Sequence, residues 1–293
     1  MPFVRVRGID LHYQTFGGED PALPRLLFAH GLMGSIDLTQ RMFEDLAGFA
    51  AKGLRIIAYD ARGHGRSGYT SRREDYHWAA LAEDMHGFIE ALNLAPVAVY
   101  GGSMGAGTAL MCALAHPGDI DRLILQSPPP FGSYAIRPVR RLFGPLATMF
   151  SLLGSERTGK LVASMPSMRR GGEQAAAELR FFLASQRRAS IVPAIRGLLL
   201  DEPQLPSHRF GAIRQPALAL THPDDVLHPL RSGEILHERM PHCRLAEAPT
   251  ESYWRENADA LAHVVAAFVR GDEIARGLPG PKRHHAHAAA HQS

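Results

Sequence analysis

The chain has little cysteine, no long apolar run and little excess charge. Its 293 residues include two cysteines, Cys112 and Cys243, far apart and without metal-ligand spacing. That excludes a disulfide framework or a cysteine-rich metal site, and it predicts two small core thiols in a reducing, cytoplasmic setting. No apolar run approaches the ~20 residues needed to span a bilayer. The opening MPFVRVRGIDLHYQ lacks the apolar h-region of a signal peptide. The net charge is only +3, with the arginines scattered, too weak an excess for a nucleic-acid surface. Neither a G-x-x-x-x-G-K-[ST] phosphate loop nor an H-E-x-x-H metal motif occurs. No metal, cofactor, nucleic acid or membrane partner is therefore expected. A small-molecule substrate or ligand is, and oligomeric state is left open.

What is present reads as a globular protein with a large core, 45% hydrophobic and 21% charged. Val4 to Gln14 alternates and predicts an antiparallel hairpin turning at Gly8-Ile9-Asp10. Six short, nearly continuous apolar runs follow: 26–29, 54–59, 97–100, 123–125, 217–220 and 244–246. Such runs suit parallel strands buried on both faces. Helical patterns lie between them at 38–51, 76–93, 104–116, 230–239 and 256–270. Strand–helix alternation of this length predicts an α/β fold, a mostly parallel sheet of eight strands flanked by helices. The alternation breaks at 131–209, where helical patterns at 138–153, 173–186 and 190–199 come without a strand. The expected organisation is a core from 1–130 and 210–275, a helical insertion at 131–209 over the sheet's C-terminal edge, and a disordered Gly/Pro/His/Ala-rich tail at 276–293.

Gly101-Gly102-Ser103-Met104-Gly105 is a G-x-S-x-G pentapeptide between a buried strand and an apolar helix. That setting forces a sharp turn, holding the serine in a strained conformation at a helix N-terminus, where the dipole favours developing negative charge. The flanking glycines leave room for strand and helix to approach.

At this point the chain resembles the α/β-hydrolase superfamily along nearly its whole length. His30-Gly31-Leu32-Met33-Gly34 is similar to the family's oxyanion loop, which implies that the backbone N–H groups of Leu32 and Met104 oppose the charge of a tetrahedral intermediate. Tyr59 to Ser67 is similar to the loop after the next strand, whose Asp60, Arg62 and His64 are implied to be structural. The insertion resembles the family's cap. In Thr221 to Pro229 the family places its acid four residues before the proline, which selects Asp225 over Asp224 as the group orienting a histidine.

The histidine itself is missing from its usual place after the last strand, where Ser252 stands. No histidine lies between His242 and His263. A serine hydroxyl without a base is not nucleophilic at neutral pH. Three expectations follow. Another histidine substitutes: His228 first, three residues after Asp225, with His222 and His208 as weaker candidates. Alternatively the protein is a catalytically silent hydrolase-fold protein binding a small ligand or partner. Or it is a weak esterase running on the oxyanion hole and binding alone. The leading expectation is a serine hydrolase acting on a small carboxylic ester, lactone or thioester, with Ser103, Asp225 and His228 as its catalytic set. Tyr253 and Trp254 either fill the vacant imidazole space or line the pocket.

Overall fold

The fold is described from a computed structural model, over residues 2–42, 45–132, 136–201, 205–223, 225–250 and 252–272. The elements run β1 (Phe3–Val6), β2 (Ile9–Phe16), β3 (Arg25–Ala29), α1 (Ile36–Met42), α2 (Leu46–Ala50), β4 (Arg55–Tyr59), α3 (Trp78–Ala91), β5 (Val97–Gly102), α4 (Met104–Ala115) and β6 (Ile120–Gln126). Then come α5 (Arg137–Leu153), α6 (Ser155–Ser164), α7 (Gly172–Ala184), α8 (Arg188–Ile195), β7 (Ala217–Thr221), α9 (Leu230–Arg239), β8 (Cys243–Glu247), α10 (Tyr253–Glu256) and α11 (Ala258–Arg270).

Eight strands form one sheet in the order β1-β2-β4-β3-β5-β6-β7-β8. The β1–β2 and β2–β4 pairs are antiparallel and every later pair is parallel. Alternation along each strand divides the core. Leu27, Val99, Leu123 and Ala219 face the side covered by α3, α4 and α9. Leu26, Tyr100, Ile124 and Leu218 face the side covered by α2 and α11. Helices cover both faces, so the central positions of β3 to β8 are apolar and buried while Arg, Asp, Gln and Glu stand at strand ends and edges. Cys112 and Cys243 are buried, and burial pushes both thiols up, Cys243 to about 12. They are therefore inert core groups at neutral pH. Among the described residues no helix is long and apolar enough to cross a membrane.

Several boundaries differ from expectation. The first hairpin turns at Arg7-Gly8 rather than Gly8-Ile9-Asp10, with φ of 42° and 85°. Positive φ at both central residues gives a two-residue turn whose twist matches the flanking strands. The helix expected at 38–51 is two short helices. α6 was not expected at all: its polar Ser-Glu-Arg-Thr-Gly-Lys run hides the apolar stripe. Asp224 and the tail from 276, with its four histidines, lie outside the described residues.

Between β6 and β7 the described residues form helices and no strand. They are tied to loops at the sheet's C-terminal edge. The Gln186 side-chain amide donates to the Met33 carbonyl at 2.9 Å, Arg187 donates to the carbonyls of Gly65 and Ser67, and Ser190 Oγ donates to Gly63 O at 2.6 Å.

Candidate active site

The C-terminal ends of β3, β5 and β7 carry the candidate residues, as expected for a parallel α/β sheet. Ser103 sits between β5 and α4 with φ 49° and ψ −104°, a conformation that L-residues rarely adopt. The surroundings hold it there. Its N–H donates to Gln126 O and its carbonyl accepts from Gly107 N–H. The flanking glycines are required by space: a Cβ on Gly105 would lie 2.1 Å from Ala29 O, and one on Gly101 would lie 2.5 Å from Ala106 N.

The loop after β3 lies alongside, and a Cβ on Gly31 would be 3.5 Å from that of Ser103. Gly34 N–H donates to Gly31 O, closing a turn with Met33 at φ 66°. The N–H of Leu32, second residue of that turn, plays no part in the turn's own bond. Met104 N–H leads α4, among the helix amides with no partner inside the helix. His30 pins the loop: its Nδ1–H donates to Gly31 O at 2.8 Å while Nε2 accepts from Ala61 N–H at 3.0 Å.

Asp60, Arg62 and His64 support this region from behind. Asp60 accepts from the amides of Ile36 and Arg66 and from the His12 ring. Buried Arg62 makes a two-pronged contact with Asp84 at 2.6 and 2.7 Å. Burial, with His30 beside it, pushes His64 down to about 3, and burial also lowers His30. Both rings are neutral near pH 7 and none of the four faces Ser103 through a hydrogen bond.

The loop after β7 completes the site. Asp225 Oδ1 accepts from the amides of Leu227 (2.7 Å) and His228 (2.9 Å), a tight Asx turn that fixes the carboxylate. Its Oδ2 lies 2.8 Å from His228 Nδ1, and His228 Nε2 lies 2.7 Å from Ser103 Oγ. Because Asp225 is a carboxylate, Nδ1–H donates to it. Nε2 is then the acceptor for the serine hydroxyl, a tautomer assigned from the network. Burial opposes ionisation of Asp225, but hydrogen bonds from His222 and His228 outweigh it and hold the carboxyl well below the usual carboxylate range.

The other sequence candidates fall elsewhere. Buried His222 approaches the acid rather than the serine, with Nε2 3.4 Å from Asp225 Oδ2. Ser252 precedes α10, its hydroxyl 3.3 Å from Thr250 Oγ1. Among the described residues it makes no hydrogen bond to Ser103, Asp225 or His228. Trp254 is buried in the core against Ala248 and Leu261. His263 is exposed on α11, near Asp259. Position 252 holds a serine, and the imidazole that meets Ser103 comes from the loop after β7.

One group of metal-ligating type exists among the described residues: His86, His116 and Asp119, with ligand atoms within 4.8 Å of one another. The two rings are stacked with centroids 3.6 Å apart and planes 3° apart, so no single ion lies in both ring planes. Each ring is engaged by a carboxylate, His86 by Asp119 at 2.7 Å and His116 by Glu83 at 2.8 Å. This geometry suits a clasp between α3 and the end of α4.

Comparison with known proteins agrees with the fold. Residues 24–173 match the family described as alpha/beta hydrolase fold. The chain is 34% identical to the sn-1-specific diacylglycerol lipase ABHD11 of Mus musculus over 130 residues, 44% of this chain and 40% of that protein. It is 30% identical to the hydrolase YraK of Bacillus subtilis over 125 residues, 43% of each. These matches span less than half the length of either relative. In structure it is similar to the enol-lactonase from Burkholderia xenovorans LB400, with a TM-score of 0.74 at 22% identity, covering 92% of this chain and 100% of that one. With residues 24–173, half of its length, matching that family and one eight-stranded, mostly parallel sheet beneath it, the chain belongs to the α/β-hydrolase fold family.

Proposed function

We propose that the protein is a serine hydrolase of small carboxylic esters, lactones or thioesters, with Ser103 as nucleophile and His228 as its base. The observation that carries this reading is the continuous hydrogen-bonded chain Ser103 Oγ–His228–Asp225, at 2.7 and 2.8 Å. Both distances lie within the range for proton transfer between nucleophile, base and orienting acid. Relatives named as a diacylglycerol lipase and an enol-lactonase support an ester-type bond as the target.

In the proposed reaction the Ser103 oxygen attacks the carbonyl carbon while its proton passes to His228 Nε2. The carbonyl oxygen becomes an oxyanion facing the N–H groups of Leu32 and Met104, fixed donors that need no reorganisation as charge develops. Asp225 stabilises the imidazolium and keeps Nδ1 protonated. The imidazolium then donates its proton to the departing alkoxide or thiolate, leaving an acyl ester on Ser103. Water, deprotonated by the same nitrogen, releases the acid and restores the serine. The low proton affinity of Asp225 keeps it ionised throughout the working pH range.

The test is labelling of the purified protein by a fluorophosphonate probe, read by peptide mass spectrometry. Rapid modification confined to Ser103 is the expected result. Folded protein that leaves Ser103 unmodified over hours would favour the alternative, a silent hydrolase-fold protein that binds a small ligand.

A further inference from the structure

We propose that the outer face of the helical segment between β6 and β7 docks on an anionic lipid surface. Three observations converge on it. Residues 131–209 contain twelve Arg and Lys against five Asp and Glu, a net +7, whereas the whole chain carries +3; the remainder is therefore −4. Seven of the ten exposed large hydrophobic side chains among the described residues fall between Leu142 and Phe181. The two sets interleave along the chain: Arg141 with Leu142, Lys160 with Leu161, and Met168 with Arg169, every member exposed, while Phe181, beside Arg180, is covered on one side by the Arg41 guanidinium at 3.9 Å.

Exposed aliphatic side chains beside cations are the composition of a surface lying in the headgroup region. There the apolar groups enter the acyl boundary and the cations meet lipid phosphates. Leu152, at the end of α5, is 75% exposed. Neither a spanning helix nor a lipid anchor is needed for such contact. Charge complementarity decides between occupants. A second copy packed through the same face would set cations against cations. A nucleic acid calls for cations and stacking aromatics, and the apolar groups here are mostly aliphatic. An anionic bilayer accommodates both kinds of side chain.

The same segment reaches the candidate active site on its inner side. Gln186 bonds the Met33 carbonyl in the loop of Leu32, and Arg187 and Ser190 bond the loop after β4. A surface bound on the outside of this segment would therefore lie across it from Ser103. The consequence for substrate, an acyl ester presented at a lipid surface, rests on the hydrolase reading; the docking does not.

The experiment is co-sedimentation of the full chain with vesicles of phosphatidylcholine alone and of an equimolar phosphatidylcholine–phosphatidylglycerol mixture. It is run with wild type and with Ser103→Ala, so that binding is read independently of catalysis. The expected result is partition to the anionic vesicles in both proteins, weak partition to neutral ones, and release as salt rises. Two variants test the face: Arg141→Glu/Arg169→Glu/Arg180→Glu, and Leu152→Ser/Leu161→Ser. Each is expected to lower vesicle affinity by at least about tenfold while circular dichroism and hydrolysis of a water-soluble ester stay unchanged. Equal partition to both vesicle types, or no partition, overturns the proposal. So does full binding by the charge-reversed variant, which retains the basic tail and would assign binding to it. A concentration-dependent dimer that forms through this face without vesicle binding overturns it in favour of self-association.

Discussion

Replacing His228 by alanine is the perturbation that most directly examines the site. The imidazole makes two contacts, 2.7 Å to Ser103 Oγ and 2.8 Å to Asp225 Oδ2, so in the proposed reaction its removal takes away both proton acceptor and proton carrier. What would remain in that reaction is the pair of Leu32 and Met104 amides and substrate binding. In a comparable triad, loss of the histidine costs about 10⁶ in kcat, with a floor about 10³–10⁴ above the uncatalysed rate. His228→Ala is therefore expected to lose about four to six decades in kcat/KM, equivalent to about 5–8 kcal/mol of transition-state stabilisation. The Asx turn survives the change, because Asp225 Oδ1 is bonded by backbone amides rather than by the ring. The assay is hydrolysis of p-nitrophenyl acetate together with the rate of fluorophosphonate labelling, with circular dichroism as the control for folding. Ser252→Ala, made in parallel, is expected to leave both rates unchanged. A His228→Ala protein that labels at the wild-type rate, or a Ser252→Ala protein that does not, would refute the assignment of the base.

Asp225→Asn is expected to cost about 10⁴ in kcat, because the amide no longer fixes the imidazole tautomer; kcat and urea midpoint measured together separate this from unfolding. Gly105→Ala places a Cβ 2.1 Å from Ala29 O. The β3–α4 contact must open, and the change is expected to destabilise by about 1–3 kcal/mol in urea melts and to abolish labelling of Ser103. Arg62→Ala leaves the Asp84 carboxylate buried, with Arg7 as its remaining cation at 2.9 Å. The expected loss is about 3–5 kcal/mol, reduced to the extent that Arg7 compensates, and Arg62→Ala/Arg7→Ala is expected to exceed the single change. His64 is held neutral down to about pH 3 in the folded state. The unfolded chain takes up that proton near pH 6.5, so the stabilisation is complete above 6.5 and falls away as pH drops towards 3. At pH 4.5 the loss is about 2–3 kcal/mol relative to pH 7.5. His64→Gln is expected to flatten that part of the stability–pH curve, and a parallel curve would show that other groups dominate it.

Much of the fold was legible because its signals are local. Each buried strand announces itself as an apolar run, and the elbow by glycines whose missing Cβ atoms make room for the strand–helix crossing. The pairing of Asp225 with His228 is local too: three residues is the span of an Asx turn, which sets carboxylate and imidazole side by side. Less legible were the first turn, where Arg7 takes a positive φ that sequence assigns to Gly8, and α6, whose apolar stripe is interrupted by Gly159 and Thr158. Thr158 and Gly159 take two of its three buried positions, so the inward face carries little apolar signature beyond Ala163 and Val162.

By itself, then, the sequence determined the strands, most of the helices, the position of the serine turn and the Asp225–His228 pair, since these carry apolar runs, glycines or a three-residue spacing that are local in the chain. Tertiary structure alone decided which histidine meets the serine. Ser103 and His228 are 125 positions apart and meet at one edge of a sheet in which β6 alone lies between their strands. It also decided that, among the described residues, Ser252 makes no hydrogen bond to Ser103, Asp225 or His228 and that Arg141, Leu142, Leu152, Lys160 and Leu161 remain on the surface. Spacing along a chain carries no information about which loops the strand order will bring together, or about which helix face is left uncovered.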